Sequence, residues 1–275
     1  MILVILAIAF AVFRFSHFNP QRAILALASP LLGKIHVYKQ AGGLIALSLA
    51  VFIPTVLAVV LLYFFNSANV QYITGLALLI IAFAGNNYIK HLDEFIELRK
   101  NGNYKQAFDV ATHHLGVNSD KYNADDDNLY DVVNRGILGL QFNSLFLCFF
   151  WYVVLLGHPA GVLFVLLLNL FIKTAPAEPN IALKLRHALA WIPVRITGLT
   201  FALVGDFTRC FNVWFKDLLD IQMPSRKILQ EYANAALSEM LEPDEFSIQI
   251  VKLLQRSLVV WIVLLAFIVT FGGVL

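Results

Sequence analysis

Arg195 is the residue whose type and position best suit ligand chemistry. It lies near the start of the apolar run 191–207, which begins at Trp191 and ends just after Asp206. An ionisable side chain at membrane depth is costly and usually faces protein or water, and a guanidinium can bind a phosphate or carboxylate through two hydrogen bonds. In one straight helix Arg195 and Asp206 would share a face about 16 Å apart, so both could line one polar cleft without pairing. The alternative is that Arg195 only snorkels to the membrane interface beside Trp191.

Three other polar residues in apolar surroundings are candidates for the same lining. Thr197 follows Arg195 by two positions, and Asn143 and Asn169 lie within other apolar runs. The candidate binding set for an anionic ligand is therefore Arg195, Asp206, Thr197, Asn143 and Asn169.

A second group of residues could bind a metal ion but lacks a recognised spacing. His113 and His114 precede Asp120 and the acidic stretch 125–127. The spacing fits neither the His-Glu-x-x-His zinc motif nor a calcium-binding EF-hand loop, so a solvated acidic loop is favoured and no metal site is predicted. Weak Mg²⁺ binding is the open alternative, with Asp125, Asp126 and Asp127 as the candidate ligands. The standard nucleotide-binding loops and the Gly-x-Ser-x-Gly hydrolase motif are absent from the sequence.

The composition indicates the class of protein whose elements must position these residues. Of the 275 residues, 59% are hydrophobic and 14% are charged, with a mean hydropathy of +0.74. Soluble domains have about 45–50% apolar and about 25% charged residues, so the chain is predicted to be a polytopic membrane protein. The net charge of +2 does not suggest a nucleic-acid partner. Cys148 and Cys210 lie in apolar stretches, so a disulfide framework is not expected.

We predict an all-α fold, a helical membrane bundle with a small helical cytoplasmic layer. Residues 1–275 would form a single integral membrane domain, with apolar segments of roughly spanning length at about 41–65, 71–87, 137–156, 158–173, 191–207 and 257–275. The polar segments 88–136 and 208–256 should be helical, since apolar residues recur there at helical spacing. The basic segments 14–40 and 173–190 favour a cytoplasmic position, and a cleaved signal peptide is not expected. Whether 191–207 crosses the membrane or re-enters is left open, and with it the side of 208–256.

The stretch 190–215 contains Ala190 to Gly198, then Phe201 to Asp206 and Trp214-Phe215. In these residues it resembles the AmpE family. AmpE proteins are inner-membrane proteins encoded beside the cell-wall amidase AmpD in Gram-negative bacteria. The resemblance implies a multi-pass protein of the bacterial inner membrane, with a regulatory or signalling role linked to β-lactamase induction and cell-wall stress. It further implies membrane lipids, a cell-wall-derived or anionic small molecule, and a functional link to AmpD as partners.

AmpE is in turn similar to the CobD/CbiB family of cobalamin biosynthesis. The segment from Pro193 to Thr197 corresponds to the Pro-Ala-Arg-Leu-Thr motif of those ATP- and Mg²⁺-dependent enzymes. Their other polar motifs are largely missing, and Ala188 to Trp191 replaces the paired aspartates expected before Pro193. A non-catalytic protein without a cofactor is therefore favoured. The alternative is an amide-forming enzyme related to adenosylcobinamide-phosphate synthase, which would use Mg-ATP. A transporter is a third hypothesis, but the two halves of the chain show no matching segments.

Overall fold

The computed structural model describes residues 43–65, 67–84, 88–118, 122–124, 126, 128–174, 180–237 and 241–271. Within these ranges the regular structure is helical and contains no strand. The prediction of an all-α helical membrane protein is thereby confirmed.

Ten helices follow one another along the described chain. Helix α1 joins Gly43–Leu47, a π-helical turn Ser48–Phe52 and Ile53–Phe65, and α5 joins Leu129–Gln141, a π-helical turn Phe142–Phe146 and Leu147–Val154. The others are α2 (Ala68–Ala84), α3 (Tyr88–Lys100), α4 (Tyr104–His114), α6 (Ala160–Thr174), α7 (Asn180–Val204), α8 (Phe207–Asp217), α9 (Ser225–Ala236) and α10 (Pro243–Phe271).

Among the residues that the structure describes, four helices are long and apolar enough to cross a membrane: Gly43–Phe64, Leu129–Val154, Ile181–Val204 and Pro243–Leu264. The stretches Asn69–Ala82 and Ala160–Thr174 are shorter apolar helices. The chain is therefore a multi-pass membrane protein by the length and composition of its helices.

Several helices extend beyond the apolar runs from which they were predicted. Helix α7 begins at Asn180 rather than near Trp191. Helix α10 begins at Pro243, where a helix start is predicted, and continues into the apolar run 257–275. Polar residues such as Lys184 do not interrupt backbone hydrogen bonding, so a helix continues past the end of its apolar run. Helix α7 also ends at Val204, so Asp206 lies outside the helix that carries Arg195.

The helices fall into two compact units. The first contains the described residues of 43–84, 143–190 and 266–271. Its core contains small residues of α1 opposite larger ones of α6, which allows close helix packing. The buried members are Ala46, Leu47, Ala50, Val51, Leu168, Phe171 and Ala182.

The second unit contains the described residues of 88–142, 191–237 and 241–265. It holds the amphipathic helices α3, α4, α8 and α9 with parts of α5, α7 and α10. Phe95, Phe201 and Tyr232 are among its fully buried side chains. This unit contains Arg195, Thr197 and Asp206.

Candidate functional site

The turn between α7 and α8 is fixed at both of its ends. The carboxylate of Asp206 caps α8 by accepting a 3.0 Å hydrogen bond from the backbone N–H of Arg209. Such a cap satisfies one of the N–H groups left free at a helix start. The backbone N–H of Asp206 donates to the carbonyl of Ala236 at 2.8 Å. Asp206 therefore anchors the turn to the end of α9.

The side chain of Arg195 is buried, with 4% of its surface exposed. Its Nε donates to the carbonyl of Leu218 at 3.3 Å, and its Nη2 donates to the carbonyls of Asp217 and Asp220. Its Nη1 donates to the carbonyl of Trp191 at 3.3 Å, and the guanidinium lies 4.8 Å from the centre of that indole ring. The carbonyls at a helix C-terminus lack intrahelical partners and attract cations. Arg195 therefore holds the end of α8 against α7.

Trp214 of α8 makes a second contact between the two helices, with the donor and acceptor helices exchanged. Its indole Nε1 donates a 2.7 Å hydrogen bond to the carbonyl of Arg195. A side chain of α7 thus binds the backbone at the end of α8, and a side chain of α8 binds the backbone of α7. We refer to Arg195, Trp191, Trp214 and the carbonyls of residues 217, 218 and 220 as the Arg195 clamp.

Glycine allows the neighbouring helices to approach α7 closely. A Cβ atom at Gly198 would clash with the ring of Tyr232, and would lie 3.0 Å from Cδ1 of Trp214. Tyr232 is fully buried, and burial raises the pKa of its phenol. A side chain at position 198 would therefore force the clamp and α9 apart.

Thr197 contributes to α7 itself. Its hydroxyl donates to the carbonyl of Pro193 at 2.8 Å, and its side chain is fully buried. The structure thus places Thr197 beside the clamp, with its hydroxyl donating within its own helix.

Asn143 and Asn169 come together in the other compact unit. The side-chain Nδ2 of Asn169 donates to the backbone carbonyl of Asn143 at 3.2 Å. Asn143 lies in the π-helical turn of α5, where widened backbone geometry leaves carbonyls available to side chains. This contact joins α5 to α6.

The predicted weak metal ligands are only partly described. The carboxylate of Asp126 accepts a 3.2 Å hydrogen bond from the N–H of Asn128, within the turn that leads into α5. Asp120, Asp125 and Asp127 lie outside the described residues. His114 stacks on His91, with 3.7 Å between the ring centres. Among the residues that the structure describes, no three His, Cys, Asp or Glu side chains are grouped to hold a metal ion.

Trp214, Gly198 and Tyr232 are not among the predicted binding residues. A usable signal was present, because Gly198, Ala202 and Gly205 recur at a spacing of four and three residues. Small residues at helical spacing in an apolar run indicate a face on which another helix packs closely.

Comparison with known proteins identifies the family. The sequence model of the family described as "Regulatory signalling modulator protein AmpE" matches residues 37–275. A stretch of 89 residues is 26% identical to "Protein AmpE" of Shigella flexneri, and it covers 32% of this chain and 31% of that protein. The chain thus spans about a third of that relative's length in the match. No solved structure matches the chain. Since the family match covers all of the described helices, the chain belongs to the AmpE family of regulatory signalling modulator proteins.

Proposed function

We propose that the protein is an inner-membrane signalling protein that modulates β-lactamase induction in response to cell-wall stress. The observation that carries the proposal is the family match over residues 37–275, whose description is a regulatory signalling modulator. Four helices able to cross a membrane support a membrane position for this role. A functional link to the amidase AmpD stays a prediction.

Within this role, the Arg195 clamp is the element suited to couple a membrane helix to the amphipathic helices. Arg195 lies in the candidate span Ile181–Val204, whereas its carbonyl partners at 217, 218 and 220 lie at the last residue of the amphipathic helix α8 and just beyond it. A buried charge that binds one helix end favours a discrete arrangement, because partial separation leaves the guanidinium and several carbonyls unpaired. Movement of α7 would therefore either carry the end of α8 with it or release it.

The hypothesis of an anionic ligand at Arg195 stays a prediction with a defined structural consequence. Four donor contacts of the guanidinium already go to backbone carbonyls. An incoming phosphate or carboxylate would have to displace some of these carbonyls. Ligand binding at Arg195 would then be coupled to release of the end of α8.

The alternative Mg-ATP-dependent enzyme needs carboxylates that converge on a metal ion near a phosphate-binding group. The described part of the chain contains no grouped set of such ligands. No observation favours this alternative, whereas the family match supports the regulatory role.

The proposal is tested in a bacterial strain with an inducible chromosomal β-lactamase, from which the resident copy of this gene has been deleted. β-Lactamase activity is measured with and without a β-lactam inducer, before and after the wild-type gene is restored. We expect deletion to change the ratio of induced to basal activity and restoration to return it. An unchanged ratio in the deletion strain would overturn the proposed role.

A further inference from the structure

One side of helix α8 carries a row of exposed apolar side chains. Phe207 is 50% exposed and Phe215 is 67% exposed, and Phe211 lies half-buried between them. The ring centre of Phe211 lies 5.3 Å from that of Phe207 and 6.3 Å from that of Phe215. Leu219 continues the row just beyond the end of the helix and is 79% exposed. We refer to Phe207, Phe211, Phe215 and Leu219 as the apolar face of α8.

A second side of α8 is packed against protein. Cys210 is fully buried, and its thiol donates to the carbonyl of Gly198 in α7 at 3.7 Å and to that of Tyr232 in α9 at 3.4 Å. At about 100° per residue, Phe215 lies about 140° around the helix from Cys210. Helices α7 and α9 therefore pack on the Cys210 side and leave the apolar face exposed.

A third side of α8 is exposed and polar. It contains Asn212 and Lys216, and Lys216 lies about 100° around the helix from Phe215. One exposed side of the helix therefore favours an apolar medium and the next favours water. At the surface of a bilayer both media lie within one helix diameter of about 10 Å, because an amphipathic helix there immerses only its apolar side.

The place of α8 in the chain favours lipid as the partner of its apolar face. Helix α8 begins at Phe207, three residues after the candidate span Ile181–Val204 ends. Leu203, near the end of that span, is also exposed, so exposed apolar side chains lie on both sides of the turn. Aromatic rings are enriched where hydrocarbon meets the headgroups, and a neighbouring lysine extends its ammonium group towards the phosphates.

We propose that α8 is a membrane-surface helix whose apolar face binds the bilayer. Phe207, Phe211, Phe215 and Leu219 lie among the outer carbons of the lipid chains, and the ammonium group of Lys216 lies at the level of the headgroups. This inference goes beyond the proposed regulatory role, because it concerns the position of a helix and is measured on reconstituted protein without any induction assay.

The test places a small fluorophore, bimane, on two sides of α8 in protein reconstituted into phosphatidylcholine–phosphatidylglycerol vesicles. Phe215→Cys carries the label on the apolar face, and Lys216→Cys is the matched control on the polar side; both positions are exposed. Cys148 and Cys210 are fully buried, so wild-type protein treated with the same reagent supplies the background. The quenchers are iodide on both sides of the membrane and two spin-labelled phosphatidylcholines, with the nitroxide either near the headgroup or near the chain end.

We expect the nitroxide near the headgroup to quench position 215 at least about twofold more than position 216, and iodide to show the reverse order, because such a face is immersed by about 5–10 Å. Leu219→Cys should behave as Phe215→Cys does, and it takes the place of that variant if circular dichroism shows Phe215→Cys to be unfolded. Equal iodide quenching at the apolar and polar positions would overturn the proposal. So would stronger quenching of the apolar position from the chain end, which would place α8 in the bilayer interior, or protection from all three quenchers, which would indicate a covering protein such as a second copy.

Discussion

The Arg195→Met variant keeps an apolar side chain of similar reach but removes every guanidinium donor. Three of the lost hydrogen bonds go to the carbonyls of Asp217, Leu218 and Asp220 at the end of α8. The carbonyl of Asp217 still accepts a 3.1 Å hydrogen bond from the backbone N–H of Asp220, whereas the carbonyls of Leu218 and Asp220 lose their donor. Each carbonyl left without its donor costs about 1 kcal/mol or more, so the variant should lose about 2 kcal/mol. For a chain of this size that corresponds to a fall in Tm of roughly 4–8 °C.

The assay is thermal unfolding of the purified protein in detergent, followed by circular dichroism. Arg195→Lys should lie between wild type and Arg195→Met, because an ammonium keeps the charge but cannot match the fork geometry of the guanidinium. Arg256→Met is the matched control, since Arg256 is an exposed arginine of α10 in the same compact unit. If Arg195→Met melted as close to wild type as Arg256→Met does, the reasoning about the clamp would be refuted.

Three further perturbations test other parts of the structure. Gly198→Ala should lower Tm by overpacking against Tyr232, at a cost of about 1–3 kcal/mol. Gly43→Ala should have little effect, because its new Cβ would meet only Ile181 Cδ1 at 3.9 Å; equal Tm values for the two variants would contradict the close packing at Gly198. Burial, and then the charge of Asp217, raises the pKa of the Glu231 carboxyl, so the folded state holds this proton more tightly than the unfolded state does. The free energy of unfolding should therefore fall as pH rises from the ordinary glutamate pKa of about 4.3 to the raised value. Glu231→Gln should reduce that fall, as measured by melting curves recorded at a series of pH values. Identical pH profiles for the wild type and the variant would argue against the burial of Glu231. Burial raises the pKa of the Cys210 thiol to about 12, and both Cys210 and Cys148 are fully buried. A maleimide should label neither cysteine in the native protein and both after denaturation, as measured by mass spectrometry; labelling of native Cys210 would contradict its position between α7 and α9.

The helices could be predicted wherever apolar residues recur at helical spacing. The spacing of Ile89, Leu92 and Ile96 predicts a helix over 88–100, and the structure has Tyr88–Lys100. Helix α8 lies almost entirely within the segment 208–256, which is predicted to be helical, but the pattern does not give its bounds, because charged and aromatic residues alternate in a segment that is polar overall. Its aromatic residues nevertheless recur at Phe207, Phe211 and Phe215, and these rings stack in sequence along one face.

The clamp could be predicted only in part. The type of Arg195 and its apolar surroundings predict a charge that faces protein or water, and in the structure Arg195 is buried against protein. Its partners are backbone carbonyls, which every residue carries, so no residue pattern marks them. These carbonyls lie at the end of α8, and they reach Arg195 only because the chain turns at Gly205 and Asp206 and brings α8 back along α7.

The measurement that tests the central claim most directly is β-lactamase induction in the deletion strain carrying Arg195→Lys, Arg195→Met or Arg256→Met. Immunoblots of the membrane fraction would establish that all three variants are present at wild-type amounts. If the clamp couples the membrane helix to the regulatory output, Arg256→Met restores the wild-type ratio of induced to basal activity and Arg195→Met does not, with Arg195→Lys between them. Full restoration by Arg195→Met would contradict the account.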